Sequence, residues 1–161
     1  MIEGNNKSIR KAYNPDLMIL VVEDQMIFIK DVKHALPQHK IVFARTVEEA
    51  KSSYEKWLPD ITFIDIDLPD GNGFELLDYI RSREPEAYVI MLTGSKMWED
   101  VAISQQKGVH GYIIKPFTRS KIEQTVEKYL GVREKGIQLQ LAETEKRRRS
   151  AMTMQETKEE G

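Results

Sequence analysis

Five short apolar runs, each followed by a segment with helical spacing, constrain this chain more than any other feature of its 161 residues. The runs fall at 17–22, 41–44, 61–64, 88–92 and 112–114. Short apolar runs bounded by turn residues have the pattern of internal strands. Strands that alternate with helices of this length pair in parallel through right-handed crossovers. The expected fold class is therefore α/β: a (βα)5 doubly wound five-stranded parallel sheet with helices on both faces. In such a sheet the carboxyl ends of all strands open on one rim, where ligands collect.

Acidic and basic groups stand where these runs end. Asp65 follows Ile61-Thr62-Phe63-Ile64 and precedes Ile66-Asp67-Leu68-Pro69-Asp70-Gly71-Asn72-Gly73. Glu23-Asp24 follow the first run, Thr93 the fourth and Lys115 the fifth. Like charges brought this close raise one another's pKa unless a cation compensates. Magnesium prefers oxygen ligands and is commonly held by one or two carboxylates plus phosphate oxygens. Together with Lys115 it would cancel the three formal charges of Glu23, Asp24 and Asp65. Asp65 could then act as a nucleophile toward a phosphoryl group. The metal, Lys115 and the Thr93 hydroxyl would stabilise the transferring oxygens. Taken singly, Asp65 could equally cap a helix, Thr93 end a strand and Lys115 lie on the surface; their joint placement argues for chemistry.

Around these groups, the stretch 25–36 places Phe28, Val32, Ala35 and Leu36 at helical spacing and leaves Ile27 and Ile29 off that stripe. Thr46-Val47-Glu48-Glu49 matches a capping box. The helix it opens is expected to reach about Trp57 and to stop before Pro59. Further helices are expected after Gly73, with Phe74, Leu77 and Ile80 on one face, at about 98–107 and at about 118–130. Residues 1–15 read as a flexible polar leader, 16–130 as the globular domain, and 131–161 as a charged tail, partly helical or disordered.

Residues 16–130 carry 14 Lys/Arg against 19 Asp/Glu, so the globular part lacks the basic footprint of a nucleic-acid binder. The run Lys146-Arg147-Arg148-Arg149 reads as a solvated helix face. There is no cysteine, which excludes disulfides, thiolate metal sites and cysteine nucleophiles. No apolar stretch approaches the ~20 residues of a membrane span, and the N-terminal segment lacks the apolar core of a signal peptide. A cytoplasmic location is expected, and nothing after Leu130 reads as a DNA-binding output domain.

With these motifs in place, the chain resembles a response-regulator receiver domain of the two-component signalling family. The matching residues are Val21-Val22-Glu23-Asp24, the segment from Ile64 to Gly73 around Asp65, Leu92-Thr93-Gly94, and Gly111-Tyr112-Ile113-Ile114-Lys115-Pro116-Phe117. The resemblance covers about 16–130 and implies a flavodoxin-like receiver fold in a stand-alone, single-domain regulator. It implies that Asp65 accepts phosphate from a histidine kinase or histidine phosphotransfer protein. Asp24 would ligate Mg²⁺ directly, Glu23 through water, and Asp67 through its backbone carbonyl. Thr93 and Tyr112 would form a switch pair that alters the face of the fourth helix, fifth strand and fifth helix, a face that also suits a homodimer. Lys115 would pair with the phosphoryl oxygen, and Lys115–Pro116 would be a cis peptide. Gly94, where alanine is more usual, Asp67 and Ser95 occupy positions that tune phosphoryl lifetime in the family.

Several other readings compete. Asp65-Ile66-Asp67 after a strand also resembles the start of a haloacid-dehalogenase-type phosphatase, but the acid pair precedes Asp65 and no aspartate follows Asp100. Gly71-Asn72-Gly73 lacks the third glycine of a dinucleotide fingerprint. His34, His39 and His110 share no ligand-like spacing. Within the receiver reading, a phosphorelay intermediate competes with a terminal adaptor that binds a downstream protein target. Ile27 and Ile29 suit docking on a helical phosphotransfer partner, and Trp98 lies on the helix the family uses for partners.

Overall fold

The computed structural model describes residues 16–94 and 98–159. The leader at 1–15, together with Ser95 and Met97, lies outside the described residues, as does the side chain of Trp98. Strands β1 (Met18–Val22), β2 (Lys40–Ala44), β3 (Ile61–Asp65), β4 (Tyr88–Thr93) and β5 (Gly111–Ile114) form a single five-stranded sheet in the order β2-β1-β3-β4-β5. Every pairing in it is parallel. The register sets Val22 opposite Ala44 and Ile64, Asp65 opposite Leu92, and Thr93 opposite Ile114, so the strand ends meet on one rim.

Period-2 alternation divides the strand residues between two faces. Leu20, Val22, Ile64, Val89 and Met91 join one core with α2 (Val47–Trp57) and α3 (Gly73–Arg83), through Ala50, Tyr54, Leu76, Leu77 and Ile80. The alternate set, Ile19, Val21, Ile61, Phe63, Ile90 and Leu92, is equally buried. Burial on that side is matched in α1 (Met26–Ala35) by Ile29, Val32 and Ala35, and in the first turns of α5 (Arg119–Glu159) by Ile122 and Val126. Helix α4 (Trp98–Gln106) completes the set. No helix among the described residues is long and apolar enough to cross a membrane.

Two expectations from the sequence are corrected here. Ile29 is not off the core stripe: it is 7% exposed, whereas Ile27 is 65% exposed. The apolar stripe of a surface helix exceeds 100° in width. Ile29, Val32 and Leu36 lie three and four residues apart within it, and Phe28 is displaced to its half-buried edge. Ile29 therefore has no surface to offer a partner. The fifth helix, expected to end near 130, continues to Glu159. The segment beyond Gly131 has no proline and is rich in Ala, Leu, Gln, Glu, Lys and Arg, the strong helix formers. Gly131 and Gly136 cost about 1 kcal/mol each relative to alanine, which does not end a run of this length. Thr144, Ser150 and Thr153 donate their hydroxyls back to the carbonyls of Gln140, Lys146 and Arg149. Residues Pro15–Val126 form one compact unit, and Glu127 onward falls outside it. The basic run 146–149 is exposed along its whole length.

Helix α2 opens with Thr46 Oγ1 accepting from Glu49 N at 3.1 Å. The Glu49 carboxylate accepts from Arg45 N at 2.8 Å rather than from the cap residue itself. Asp70, 23 residues away in the loop after β3, supplies the rest: its carboxylate accepts from Val47 N at 2.7 Å and Glu48 N at 3.2 Å. These amides hold the Asp70 carboxyl below its ordinary value of 3.8. A carboxylate depressed on folding stabilises the fold above its unfolded pKa, and that contribution is lost as pH falls through the folded value. Melting temperatures of the wild type and Asp70→Ala are therefore expected to differ by a constant amount at neutral pH and to converge below 3.8. A gap that persists unchanged into strong acid contradicts this capping role.

Candidate functional site

The rim gathers its charged groups from three strands. Asp65 closes β3, almost wholly buried, because the strand carries it into the sheet before the chain turns. Its Oδ1 accepts from Asp67 N at 3.1 Å, and its Oδ2 accepts from Lys115 Nζ at 2.7 Å. Glu23 follows β1 and is fully buried. One of its oxygens accepts from Gln25 N at 2.9 Å. The other, Oε2, forms an ion pair with Lys115 Nζ but accepts no directed hydrogen bond. Oxygens of Glu23, Asp24 and Asp65 all lie within 4.8 Å of one another.

Electrostatics in this corner follow from burial. Desolvation raises the Glu23 pKa above its ordinary value, against the opposing pull of Lys115 and the Gln25 amide. For Lys115 burial acts to lower the pKa, but its hydrogen bond to Asp65 and its ion pair with Glu23 outweigh it, and the net direction is upward. The lysine is thus a fixed cation at neutral pH. Three carboxylates cluster in this corner, the one buried ammonium pairs with Glu23 and Asp65, and Glu23 Oε2 is left without a directed donor. Such an oxygen-rich, under-compensated cluster suits a hard divalent cation.

Lys115 is held from below as well: its N–H donates to Thr93 O at 2.7 Å, tying the end of β5 to the end of β4. The Lys115–Pro116 bond is cis, as expected. Thr93 is 1% exposed at its strand end, whereas Tyr112 points outward at 38% exposure, two residues short of the rim. Glu23, Asp24, Asp65 and Lys115 therefore converge, with Thr93 beside them and Tyr112 apart.

A cleft of about 290 Å³ opens over Asp65, lined by Gln25, Phe28, Asp67, Gly94, Lys115 and Pro116. Phe28 belongs to this cleft, although the sequence pattern places it in the core. Its ring lies 4.6 Å from Lys115 Nζ and 5.4 Å from the Phe117 ring. Arg45 is a second unforeseen neighbour, donating Nη2 to the backbone carbonyl of Asp24 at 2.9 Å. Neither has a sequence signal, since each faces the rim only through tertiary packing. Two histidines serve strand ends instead: His39 Nδ1 accepts from Leu17 N at 3.2 Å and His110 Nδ1 from Val89 N at 3.3 Å.

Residues 19–127 match the model of the response regulator receiver domain. The chain belongs to that family. The receiver domain is 33% identical over 117 residues to the sensory transduction protein LytT of Bacillus anthracis, covering 70% of this chain and 47% of that protein. It is 30% identical over 115 residues to the chemotaxis protein CheY of Listeria monocytogenes, covering 70% of this chain and 97% of that protein. The chain thus spans about half the length of the LytT relative. A CheY-like receiver domain from Methanospirillum hungatei superposes with a TM-score of 0.70 at 28% identity, covering 75% of this chain and 98% of that one. Membership of the receiver family sets aside the haloacid-dehalogenase reading of Asp65 and Asp67. Within this receiver domain the Asp67 side chain is exposed, and Gly94 lines the mouth of the cleft.

Proposed function

We propose that this receiver domain is phosphorylated on Asp65 in a Mg²⁺-dependent reaction and signals through contacts with other proteins. The observation that carries the reading is the buried Lys115 ammonium, 2.7 Å from Asp65 Oδ2 and paired also with Glu23. An Asp65 carboxylate oxygen forms a bond to phosphorus while the bond from phosphorus to the donor breaks. The donor, a histidine kinase or histidine phosphotransfer protein, leaves with the electron pair. Lys115, anchored by Glu23, then pairs with an oxygen of the new acyl phosphate, so its charge need not be imported during the reaction. Asp67 N and Lys115 hold the carboxylate by both oxygens before transfer, which fixes its orientation.

Asp24, Asp65 and the backbone carbonyl of Asp67 would hold Mg²⁺, with Glu23 acting through water. When bound, the ion neutralises charge that builds on the transferring oxygens. Thr93 and Tyr112 form the switch in this reading. Downstream partners meet the α4–β5–α5 face, whose helix α4 begins at Trp98, while Ile27 meets the donor. The setting is cytoplasmic.

Incubation with Mg²⁺ and a small-molecule phosphodonor is expected to raise the intact mass by one phosphoryl group, and chelation is expected to prevent it. Lys115→Ala should slow the same labelling on the order of a hundredfold. An unmodified wild-type mass would sink the proposal.

A further inference from the structure

The β2–α2 junction at 44–49 contributes none of the four converging charged residues, yet both loops that carry the metal-facing groups are tied to it. Arg45 donates to the Asp24 backbone carbonyl at 2.9 Å. On the other side, the Asp70 carboxylate accepts from Val47 N and Glu48 N at 2.7 and 3.2 Å. The Asp70 loop is the one that contains Asp67. It is folded on itself as a two-residue antiparallel ladder, with Asp67 opposite Asn72 and Leu68 opposite Gly71. Leu68 and Val47 share one core cluster, and a side chain at Gly71 would touch Val47 at 3.4 Å. The junction is braced through Glu49, whose amide donates to Thr46 Oγ1 and whose carboxylate accepts from Arg45 N across the helix start.

We infer that Asp70 and Arg45 are positioning residues that set the spacing of the two metal-bearing loops from one shared anchor. Two unpaired amides of a helix start are fixed in direction by the helix. A carboxylate spanning both of them has one pose, and the loop that carries it inherits that pose. On the other side, the Arg45 guanidinium, one residue past β2, donates to the peptide carbonyl of Asp24 and so ties that loop to the same junction. Neither residue touches the reacting carboxylate. Each acts through backbone whose groups face the cation, in the way outer residues commonly orient metal ligands. This inference rests on the Mg²⁺ reading of the site given above.

Mg²⁺ titration of the isotope-labelled chain, followed by backbone amide shifts at neutral pH well below the melting temperature, tests it. The wild type should saturate, and Asp70→Ala should need about tenfold more Mg²⁺. Asp70→Asn, with one acceptor oxygen in place of two, should fall between them. Arg45→Ala, which alters only an exposed side chain, should weaken binding in the same direction and keeps the test open if Asp70→Ala fails to fold. A merely structural role would lower the melting temperature and leave Mg²⁺ affinity unchanged. Wild-type affinity in both alanine variants overturns this inference and leaves the phosphoacceptor reading standing. Absence of Mg²⁺ binding by the wild type overturns both.

Discussion

Asp65→Asn is expected to take up no phosphoryl group from a donor that modifies the wild type with Mg²⁺ present. The substitution keeps the shape of the side chain and one carbonyl oxygen for the Asp67 amide. It removes the second equivalent oxygen and the negative charge, and an amide oxygen is a poor nucleophile toward phosphorus. Lys115 loses one of its two acidic partners but keeps Glu23, so the corner stays folded with a smaller charge imbalance. Intact-mass measurement after a fixed incubation, with wild type in parallel, reads the result. Modification that survives in Asp65→Asn would move the nucleophile to one of the neighbouring carboxylates. Asp24 and Asp67 would then be the groups to substitute next.

Gly73→Ala is expected to give the largest loss of stability of any single methyl addition near the site. A Cβ built at Gly73 would lie 2.2 Å from the Asp65 carbonyl oxygen and 2.9 Å from Ile64 Cγ2. The first of these is backbone of Asp65 itself, and it cannot rotate away. Alanine gains at most about 1 kcal/mol over glycine in a helix. Overpacking against fixed atoms costs typically about 1–3 kcal/mol and sometimes more, and a backbone overlap this deep belongs at the upper end. The net loss is placed at roughly 2 kcal/mol or above, a fall in melting temperature on the order of 10 °C for a domain of this size. Gly94→Ala, where the added carbon meets nothing within 4 Å, is the matched control and should melt near the wild type. Equal melting temperatures for the two variants would refute the steric account. The surviving folded fraction of Gly73→Ala should also label slowly, because relief of the overlap moves Asp65 or the start of α3.

Much of this molecule is legible in its residues because the relevant physics is local. β3 reads directly: Ile61, Phe63 and Ile64 are apolar and buried, and the chain turns immediately after Asp65. The Thr46 cap reads directly as well, since donor and acceptor are three residues apart. The burial of Ile29 is not legible in periodicity, because the width of a helix stripe depends on what packs over it. The extension of α5 beyond 130 is hard to read for a related reason. Its charged composition lacks a core-facing stripe, and its helicity comes from summed propensity rather than burial.

The residues by themselves determined the α/β alternation, the placement of acids and a lysine at strand ends, and hence the receiver family. Periodicity and strand ends are properties of consecutive residues, so no folded neighbour is needed to read them. Tertiary structure alone decided which oxygen of Asp65 faces Lys115, that Phe28 walls the cleft, that Asp70 meets the start of α2 and that Arg45 meets the Asp24 carbonyl. Those contacts join residues 20 to 50 positions apart. Their partners are chosen by sheet order and crossover geometry, which bring distant side chains to one rim without leaving a mark on the local pattern.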